Sequence, residues 1–205
     1  MLSYSTVEPN TLALLKSLME ENAFSDMRLV GGTALALQYG HRQSIDLDFF
    51  GELSCDIEDT KAVLSKHGQV TILKETETIR IYIVNNIKVD FVHYNCYPWI
   101  EEAIVEDGIR LASAKDIAAM KINAIEGRGT RKDFVDIYYL LKHFTLSEII
   151  SFYKEKYPNY SDFRALMSLT YFEDAEQQPM PRMFDQTTWS DMQQKILEEV
   201  RKYNP

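Results

Sequence analysis

The sequence predicts a mixed α/β (α+β) fold, with a small mixed β-sheet core flanked by helices at residues 1–111 and a packed C-terminal helical lobe at residues 112–205. Two observations lead to this prediction. Short apolar runs typical of strands alternate with helical patterns up to residue 94, and beyond Trp99 the hydrophobic period changes from that of strands to that of helices. Because no linker-like stretch separates the two parts, we expect them to pack as one unit.

The core elements follow one another closely along the chain. An apolar stripe predicts the first helix, and the apolar run that ends at Gly31 predicts a buried strand. Asn85-Asn86 tolerates the positive φ angles of a tight turn, so the runs on either side of it predict a β-hairpin. The predicted elements are a helix at 11–22, a strand at 26–30, a short buried helix at 34–39, a strand at 45–50, a helix at 55–66, and strands at 69–75, 79–84 and 87–94.

Helix-start signals define the lobe. Ser113 with Asp116, and Thr145 with Glu148, have the spacing of capping boxes, and Pro158 ends the helix that Thr145 opens. A polar segment with two prolines predicts a loop between the last two helices. The predicted elements are helices at 113–126, 131–143, 145–157, 161–170 and 188–202, and a loop at 173–186.

The bulk composition excludes some classes of protein. The 205 residues carry a net charge of -9, which argues against broad, non-specific nucleic-acid binding but leaves a local basic groove open. The sequence has neither an apolar run of about 18 residues nor an N-terminal signal pattern. We therefore expect a cytoplasmic protein with no membrane partner.

Two aspartates dominate the second strand. Asp46 and Asp48 lie two residues apart, so both side chains face one side, while Ile45 and the other apolar residues face the core. Paired carboxylates repel each other unless a cation lies between them, and hard oxygen ligands are those that Mg²⁺ prefers. The pair predicts a site for Mg²⁺ (or Mn²⁺) or, alternatively, a solvated polar face of an edge strand.

A Gly-Gly-Thr turn precedes the short buried helix. Gly31 and Gly32 allow a ligand to approach the backbone closely, and the helix N-terminus offers free N–H groups that suit a phosphate. The Thr33 hydroxyl can bind the same phosphate; the alternative is a plain strand-to-helix turn. The candidate residues for binding nucleotide or phosphate are Gly31, Gly32, Thr33, Arg42, Ser44 and Lys121.

Three further acids and one lysine complete the candidate catalytic set. Asp90 can bind a second metal ion or take the proton of an attacking hydroxyl, or it forms a surface ion pair with Lys88. Lys121 has apolar helix neighbours, so it either extends out of the core or reaches into a cleft towards triphosphate oxygens. Asp133 and Asp136 are helix-start acids, or one of them anchors Lys121 or Arg128, or orients the acceptor.

At Gly31-Gly32-Thr33 and along the run from Arg42 to Phe49, the sequence resembles the nucleotidyltransferase-like AbiEii/AbiGii toxin family of the DNA polymerase β-like superfamily. The hallmark of that family is a Gly-Gly/Ser-type turn and helix followed by Asp-x-Asp, which is matched here with Thr33 in the Ser-like position. Further similar runs are Lys121 to Arg128, Arg131 to Leu140, and Tyr171 to Glu176, so the resemblance covers most of the chain.

The resemblance implies roles for several of these residues. Asp46 and Asp48 are implied as metal ligands, Lys121 as a contact to nucleotide phosphate, and Asp133 or Asp136 as a later catalytic acid. It also implies that the protein uses an NTP and acts as the toxin of a bacterial toxin–antitoxin or phage-defence pair. Some members of the family transfer nucleotides to the acceptor end of tRNA, and a cognate antitoxin is an implied partner.

Three functions therefore remain open. The first is a metal-dependent nucleotidyltransferase that acts on tRNA, which a basic patch of Arg42, Arg128, Arg131 and Lys132 would favour. The second has the same chemistry with a small hydroxylated acceptor, as in antibiotic-modifying relatives, and the acidic net charge favours it. The third is a nucleotide- or antitoxin-binding protein without turnover.

Overall fold

Seven strands form a mixed sheet in the computed structural model, which describes residues 1–203. The strand order is β3-β4-β5-β2-β1-β7-β6, in which β2–β5 and β1–β7 are parallel and the other pairs antiparallel. The strands are β1 (Met27–Val30), β2 (Leu47–Gly51), β3 (Val70–Glu75), β4 (Ile79–Val84), β5 (Ile87–His93), β6 (Ile104–Glu106) and β7 (Ile109–Leu111). This sheet and its flanking helices confirm the predicted mixed α/β fold.

The chain divides into two compact units. The first consists of Met1–Gly40, Ser44–Pro98 and Glu102–Ala112, and the second of His41–Gln43, Trp99–Glu101 and Ser113–Pro205. The first unit holds the sheet with α1 (Pro9–Glu20), α2 (Gly31–Tyr39) and α3 (Ile57–Ser65). The second holds α4 (Ala114–Gly127), α5 (Arg131–Leu140), α6 (Leu146–Lys156), α7 (Asp162–Ser168), α8 (Glu173–Glu176) and α9 (Trp189–Lys202). Residues 204–205 of the predicted lobe lie outside the described residues.

Alternation of side chains builds the core of the first unit. Leu47 and Phe49 on β2, and Val89 and Phe91 on β5, are fully buried, whereas the residues between them are partly accessible. The Phe91 ring stacks on that of Phe49, with the ring centroids 5.3 Å apart. Within residues 1–203, no helix has the length and apolar character that a membrane span requires.

The strand that carries Asp48 begins two residues later than the sequence predicts. β2 starts at Leu47, and Ile45, predicted to face the core, is 59% exposed. Ser44 donates its backbone N–H to the Thr6 carbonyl at 2.9 Å, so the N-terminal segment holds the backbone before it enters the sheet. The prediction that Ile45 faces the core is therefore wrong.

A hairpin of β6 and β7 lies where the sequence analysis predicts no strand. Its turn is Asp107-Gly108, whose φ angles of 49° and 77° are both positive. Asp-Gly is a strong hairpin signal, but each flanking run has only three residues, too few for an alternating pattern to stand out.

Two smaller differences concern helices. Gly31, Gly32 and Thr33, predicted to form a turn, are the first residues of α2. A short helix, α8, lies within the predicted loop at 173–186. By contrast, the predicted turn at Asn85-Asn86 is confirmed by φ angles of 49° and 68°.

In the second unit, the cap of α4 also fixes a neighbouring segment. Asp116 accepts hydrogen bonds from Ser113 Oγ at 2.8 Å and from the backbone N–H groups of Ile100 at 2.9 Å and Glu101 at 3.3 Å. Lys156 Nζ lies 2.7 Å from the same carboxylate, and both side chains of this pair are fully buried. These contacts explain why Trp99–Glu101 belongs to the second unit.

Candidate functional site

Asp48 lies in the middle of the sheet of the first unit. Its register partners are Val30 on β1 and Asp90 on β5. Because β2 and β5 are parallel, side chains at paired positions point to the same face, and neighbouring strands lie about 4.8 Å apart. The sheet thus brings two of the predicted acidic site residues side by side.

Gly31 provides the space for the Asp48 carboxylate. A Cβ atom at Gly31 would lie 2.6 Å from Asp48 Oδ2, closer than nonbonded atoms approach each other. Gly31 also has a φ of 68°, in the left-handed region that favours glycine. The carboxylate therefore lies against the first residue of α2, at the end of the helix that presents free N–H groups and a positive dipole.

Buried hydroxyl groups position Asp46. The Thr33 hydroxyl is fully buried and hydrogen-bonds the Asp46 carbonyl and, at 2.9 Å, the Ser44 hydroxyl. These bonds tie the loop before β2 to α2 and leave Asp46 half-buried, two residues before Asp48. Thr33 and Ser44 therefore hold the loop in this conformation, and their predicted contact with phosphate stays a prediction.

Asp90 forms an ion pair with its strand neighbour. Lys88 Nζ contacts both carboxylate oxygens of Asp90, and the two side chains are 37% and 17% exposed. The surface ion pair that the sequence allowed as an alternative is thus present. The carboxylate nevertheless lies on the strand next to Asp48, so its role in metal binding stays a prediction.

The residue types in the first unit fit a divalent cation. Asp46, Asp48 and Asp90 offer hard oxygen donors, and the missing Cβ of Gly31 keeps the space beside Asp48 clear. Among residues 1–203, no three His, Cys, Asp or Glu side chains already have a metal-binding arrangement. Asp90 would have to leave Lys88 before it could contribute to such a site.

The other predicted site residues belong to a buried charge cluster in the second unit. Asp136 is fully buried and accepts hydrogen bonds from Arg42 Nε at 2.7 Å and Nη2 at 2.8 Å. His41 Nε2 lies 2.9 Å from the same carboxylate, and Lys121 Nζ lies 2.7 Å from it. Arg42 is thus held by a carboxylate in this conformation, and its predicted contact with phosphate stays a prediction.

Lys121 lies between two carboxylates. Its Nζ donates to Asp133 at 2.8 Å as well as contacting Asp136, and the residue is 7% exposed. Asp133 also accepts a hydrogen bond from the Thr130 hydroxyl. These acids anchor Lys121, one of the roles that the sequence left open for them. The predicted contact of Lys121 with nucleotide phosphate stays a prediction.

Burial and charge oppose each other in this cluster. Burial favours the neutral form of Asp136, but the Arg42 and Lys121 cations outweigh it and hold the pKa of Asp136 well below its usual range. Burial favours neutral Lys121, yet Asp136 and Asp133 raise its pKa above the usual value. The pKa of Asp133 is lowered, because Lys121 outweighs the effect of burial. Burial also lowers the pKa of His41, which favours the neutral imidazole.

The structure thus sorts the predicted site residues into two groups. The first unit contains Gly31, Gly32, Thr33, Ser44, Asp46, Asp48 and Asp90, and the second contains Arg42, Lys121, Asp133 and Asp136. His41 and Thr130 are partners of the second group that the sequence does not predict. His41 lies 95 positions from Asp136, and no local pattern in the sequence signals so distant a contact.

Sequence comparisons relate the chain to one family. Residues 13–204 match the family model described as nucleotidyl transferase AbiEii toxin, type IV TA system. An uncharacterised protein of Aquifex aeolicus is 36% identical over 185 residues, which cover 87% of this chain and 88% of that protein.

Solved structures share the fold. MenT4, a nucleotidyltransferase toxin of Mycobacterium tuberculosis, superposes with a TM-score of 0.58 at 14% identity, over 95% of this chain and 82% of that one. JHP933 of Helicobacter pylori gives a TM-score of 0.55 at 22% identity, over 94% and 88% of the two chains. ANT(2'')-Ia, solved with adenylyl-2''-tobramycin, gives 0.57 at 13% identity, over 75% and 100%.

Replacing Gly31 with Ala should destabilise the protein and displace the Asp48 carboxylate. A Cβ atom there meets Asp48 Oδ2, and the positive φ adds strain, so we expect a loss of about 1–3 kcal/mol in the free energy of unfolding. The matched control is Gly127→Ala, because a Cβ atom at Gly127 meets nothing within 4 Å. Urea denaturation measures both, and an equal effect of the two substitutions would contradict this account.

The charge cluster should make stability depend on pH at both extremes. The pKa values of Asp136 and Asp133 are lowered in the folded state, so their contribution is present above the unfolded value of about 3.9 and is lost as pH falls through the folded values. The pKa of Lys121 is raised, so its contribution is present below about pH 10.4 and is lost as pH rises through the folded value.

Urea denaturation across this pH range measures both effects. Lys121→Met removes the titrating ammonium. In this variant the free energy of unfolding should therefore fall less at alkaline pH than in the parent protein. A free energy of unfolding that stays constant from neutral pH into strong acid would refute the assignment of Asp136 and Asp133.

Proposed function

Since the chain belongs to the nucleotidyl transferase AbiEii toxin family, it is a nucleotidyltransferase, and we propose that it uses a divalent cation to transfer a nucleotide from an NTP to the acceptor end of tRNA. Pyrophosphate leaves in this reaction. The family also indicates a toxin role, and we propose that this chain is the toxin of a bacterial toxin–antitoxin or phage-defence pair with a cognate antitoxin. Family membership argues against the alternative of a binding protein without turnover.

The observation that carries the proposal is the position of Asp48. Its carboxylate lies against Gly31 at the N-terminal end of α2 and next to Asp90 in register. A carboxylate and a phosphate repel each other at one helix end, so binding of both requires a cation between them. Asp46 and Asp48 are therefore our proposed metal ligands, and the free N–H groups at the start of α2 our proposed phosphate contacts.

Mg²⁺ or Mn²⁺, when bound, would neutralise the phosphate charge and stabilise the pyrophosphate that leaves. Asp46 and Asp48 would hold the cation and, through it, the triphosphate. Asp90, once released by Lys88, would take the proton of the attacking hydroxyl or act as a third ligand. Thr33 and Ser44 would act by keeping the Asp46 loop in place.

The residues of the second unit have a separate place in the proposal. Lys121 carries a positive charge that Asp133 and Asp136 hold in a fixed position. We keep Lys121 as the candidate contact for nucleotide phosphate, because its ammonium stays charged and is fixed by two carboxylates. Asp136 and Asp133 are then positioning residues.

A small hydroxylated acceptor is the second candidate. The net charge of -9 favours it, since tRNA binds best to basic surfaces. One structure with this fold was solved with adenylyl-2''-tobramycin, an adenylylated small molecule. The same transfer assay distinguishes the two acceptors.

Asp48→Asn should abolish nucleotide transfer. With NTPs labelled at the α-phosphate, tRNA and Mg²⁺, we expect label on the tRNA, and a rate at least about 100-fold lower in the variant, because a charged metal ligand is lost. Asp59→Asn, at an exposed position of α3, is the control and should keep full activity. Transfer that survives Asp48→Asn would refute the proposed metal site, and label only on small hydroxylated acceptors would favour the second candidate.

Lys88→Met should tighten the binding of Mn²⁺. A cation that enters the site must displace the Lys88 ammonium from Asp90, and such a partly exposed ion pair contributes up to about 1 kcal/mol. The dissociation constant, measured by calorimetry without NTP, should therefore fall by up to about fivefold. An affinity that stays unchanged in this variant would mean that Asp90 does not take part in metal binding.

A further inference from the structure

A groove lies beside the C-terminal end of α4 in the second unit. Its volume is about 460 Å³, within the range of sites for small ligands. One wall comes from residues 125–129, at the end of α4 and the turn after it. The other wall comes from residues of the 167–174 segment, which runs from the end of α7 to the start of α8.

A buried carboxylate in this groove has an oxygen without a hydrogen-bond donor. The Glu126 side chain is only 7% exposed, and its Oε2 accepts a hydrogen bond from the Tyr153 hydroxyl. No described residue hydrogen-bonds the buried Oε1. Arg164 Nε lies 4.0 Å away, too far for a hydrogen bond, and its side chain is 76% exposed. An unsatisfied buried carboxylate oxygen is costly, so it indicates a donor that the chain itself does not supply.

Other features of the groove favour a positive ligand. The carbonyl groups at the C-terminal end of α4 give this region a negative partial charge. Asp174 adds a second carboxylate to the lining, while Arg128 is the one cation among the lining residues. Arg128 and Arg164, whose Nε lies 4.0 Å from Glu126 Oε1, balance the charges of Glu126 and Asp174. The carbonyl groups at the end of α4 then leave the region with a negative partial charge.

The groove also has apolar walls. Met167 and Tyr171 line it and are 56% and 51% exposed, which is high for large apolar side chains. A tyrosine ring attracts a cation to its face, and a methionine side chain adapts to an aliphatic chain. These walls suit a ligand that has an apolar stem behind its charged end.

We propose that this groove binds an organic cation, an ammonium or guanidinium group on a short aliphatic stem. The group donates a hydrogen bond to Glu126 Oε1, and the stem packs between Met167 and Tyr171. A free polyamine and an arginine side chain of another molecule share this chemistry. Arg164, which lies nearest to Glu126 Oε1, competes with the ligand for the carboxylate.

Two probes test the site and distinguish these sources. Spermidine represents free polyamines, and N-acetyl-arginine amide represents an arginine side chain. Each probe is titrated into the ¹⁵N-labelled protein. The NMR signals of the glycine amides then report where the probe binds. We expect saturable shifts at Gly127 and Gly129, which line the groove, and none at Gly68 and Gly108 in the first unit. The probe that binds more tightly identifies the source.

Four variants complete the test. Glu126→Gln keeps the shape and an acceptor for Tyr153, and should weaken binding about tenfold or more, since a charge-assisted bond is lost. Tyr171→Ala, at an exposed position, should also weaken it. Glu77→Gln makes the same change in net charge at an exposed position of the first unit and should have no effect. Arg164→Ala should tighten binding.

Three results would overturn the proposal. One is the absence of saturable shifts at Gly127 and Gly129 with both probes. Another is an equal loss of affinity in Glu126→Gln and Glu77→Gln, which would show non-specific attraction to an acidic protein. The third is weaker binding in Arg164→Ala. If Glu126→Gln does not fold, Tyr171→Ala decides the outcome, and unchanged binding in it contradicts the proposed site.

Discussion

The close approach of the Asp48 carboxylate to the backbone of Gly31 is the contact on which the candidate metal site depends. It requires a residue without a Cβ atom at the start of α2, and the positive φ there reinforces this requirement. It also requires β2 to lie between β1 and β5, since that order places Asp48 beside both Gly31 and Asp90. The order of the strands thus brings the candidate metal ligands Asp48 and Asp90 side by side.

Buried carboxylates in the second unit differ in how they are satisfied. Asp136 accepts hydrogen bonds from Arg42 and His41 and contacts Lys121, so its charge is compensated within the chain. Such a compensated charge holds its partners rigidly and suits a positioning role. The Glu126 side chain is 7% exposed and has a donor for only one of its oxygens. This difference separates a carboxylate that organises the unit from one that fits the binding of an external cation.

Local signals account for what could be predicted. Asn85-Asn86 marks its hairpin because few residues tolerate two successive positive φ angles, and Thr145 with Glu148 marks a helix start because the two side chains satisfy free N–H groups. The hairpin at Asp107-Gly108 had a turn signal but strands too short to show a pattern. The displaced start of β2 had no signal at all, because it depends on the N-terminal segment that binds Ser44.

The sequence by itself determined the mixed α/β fold, the Asp46-x-Asp48 pair and the family, because these rest on side-chain periodicity and on residues close together in the chain. Only the tertiary structure decided the partners of each charge. In the first unit, it placed Asp90 beside Asp48 and paired Asp90 with Lys88. It also buried Thr33 under the Asp46 loop. In the second unit, it paired Arg42 with Asp136. The Arg42–Asp136 contact joins residues 94 positions apart. Burial and the partners of each group then set its pKa, and residues that are adjacent in the sequence do not encode either.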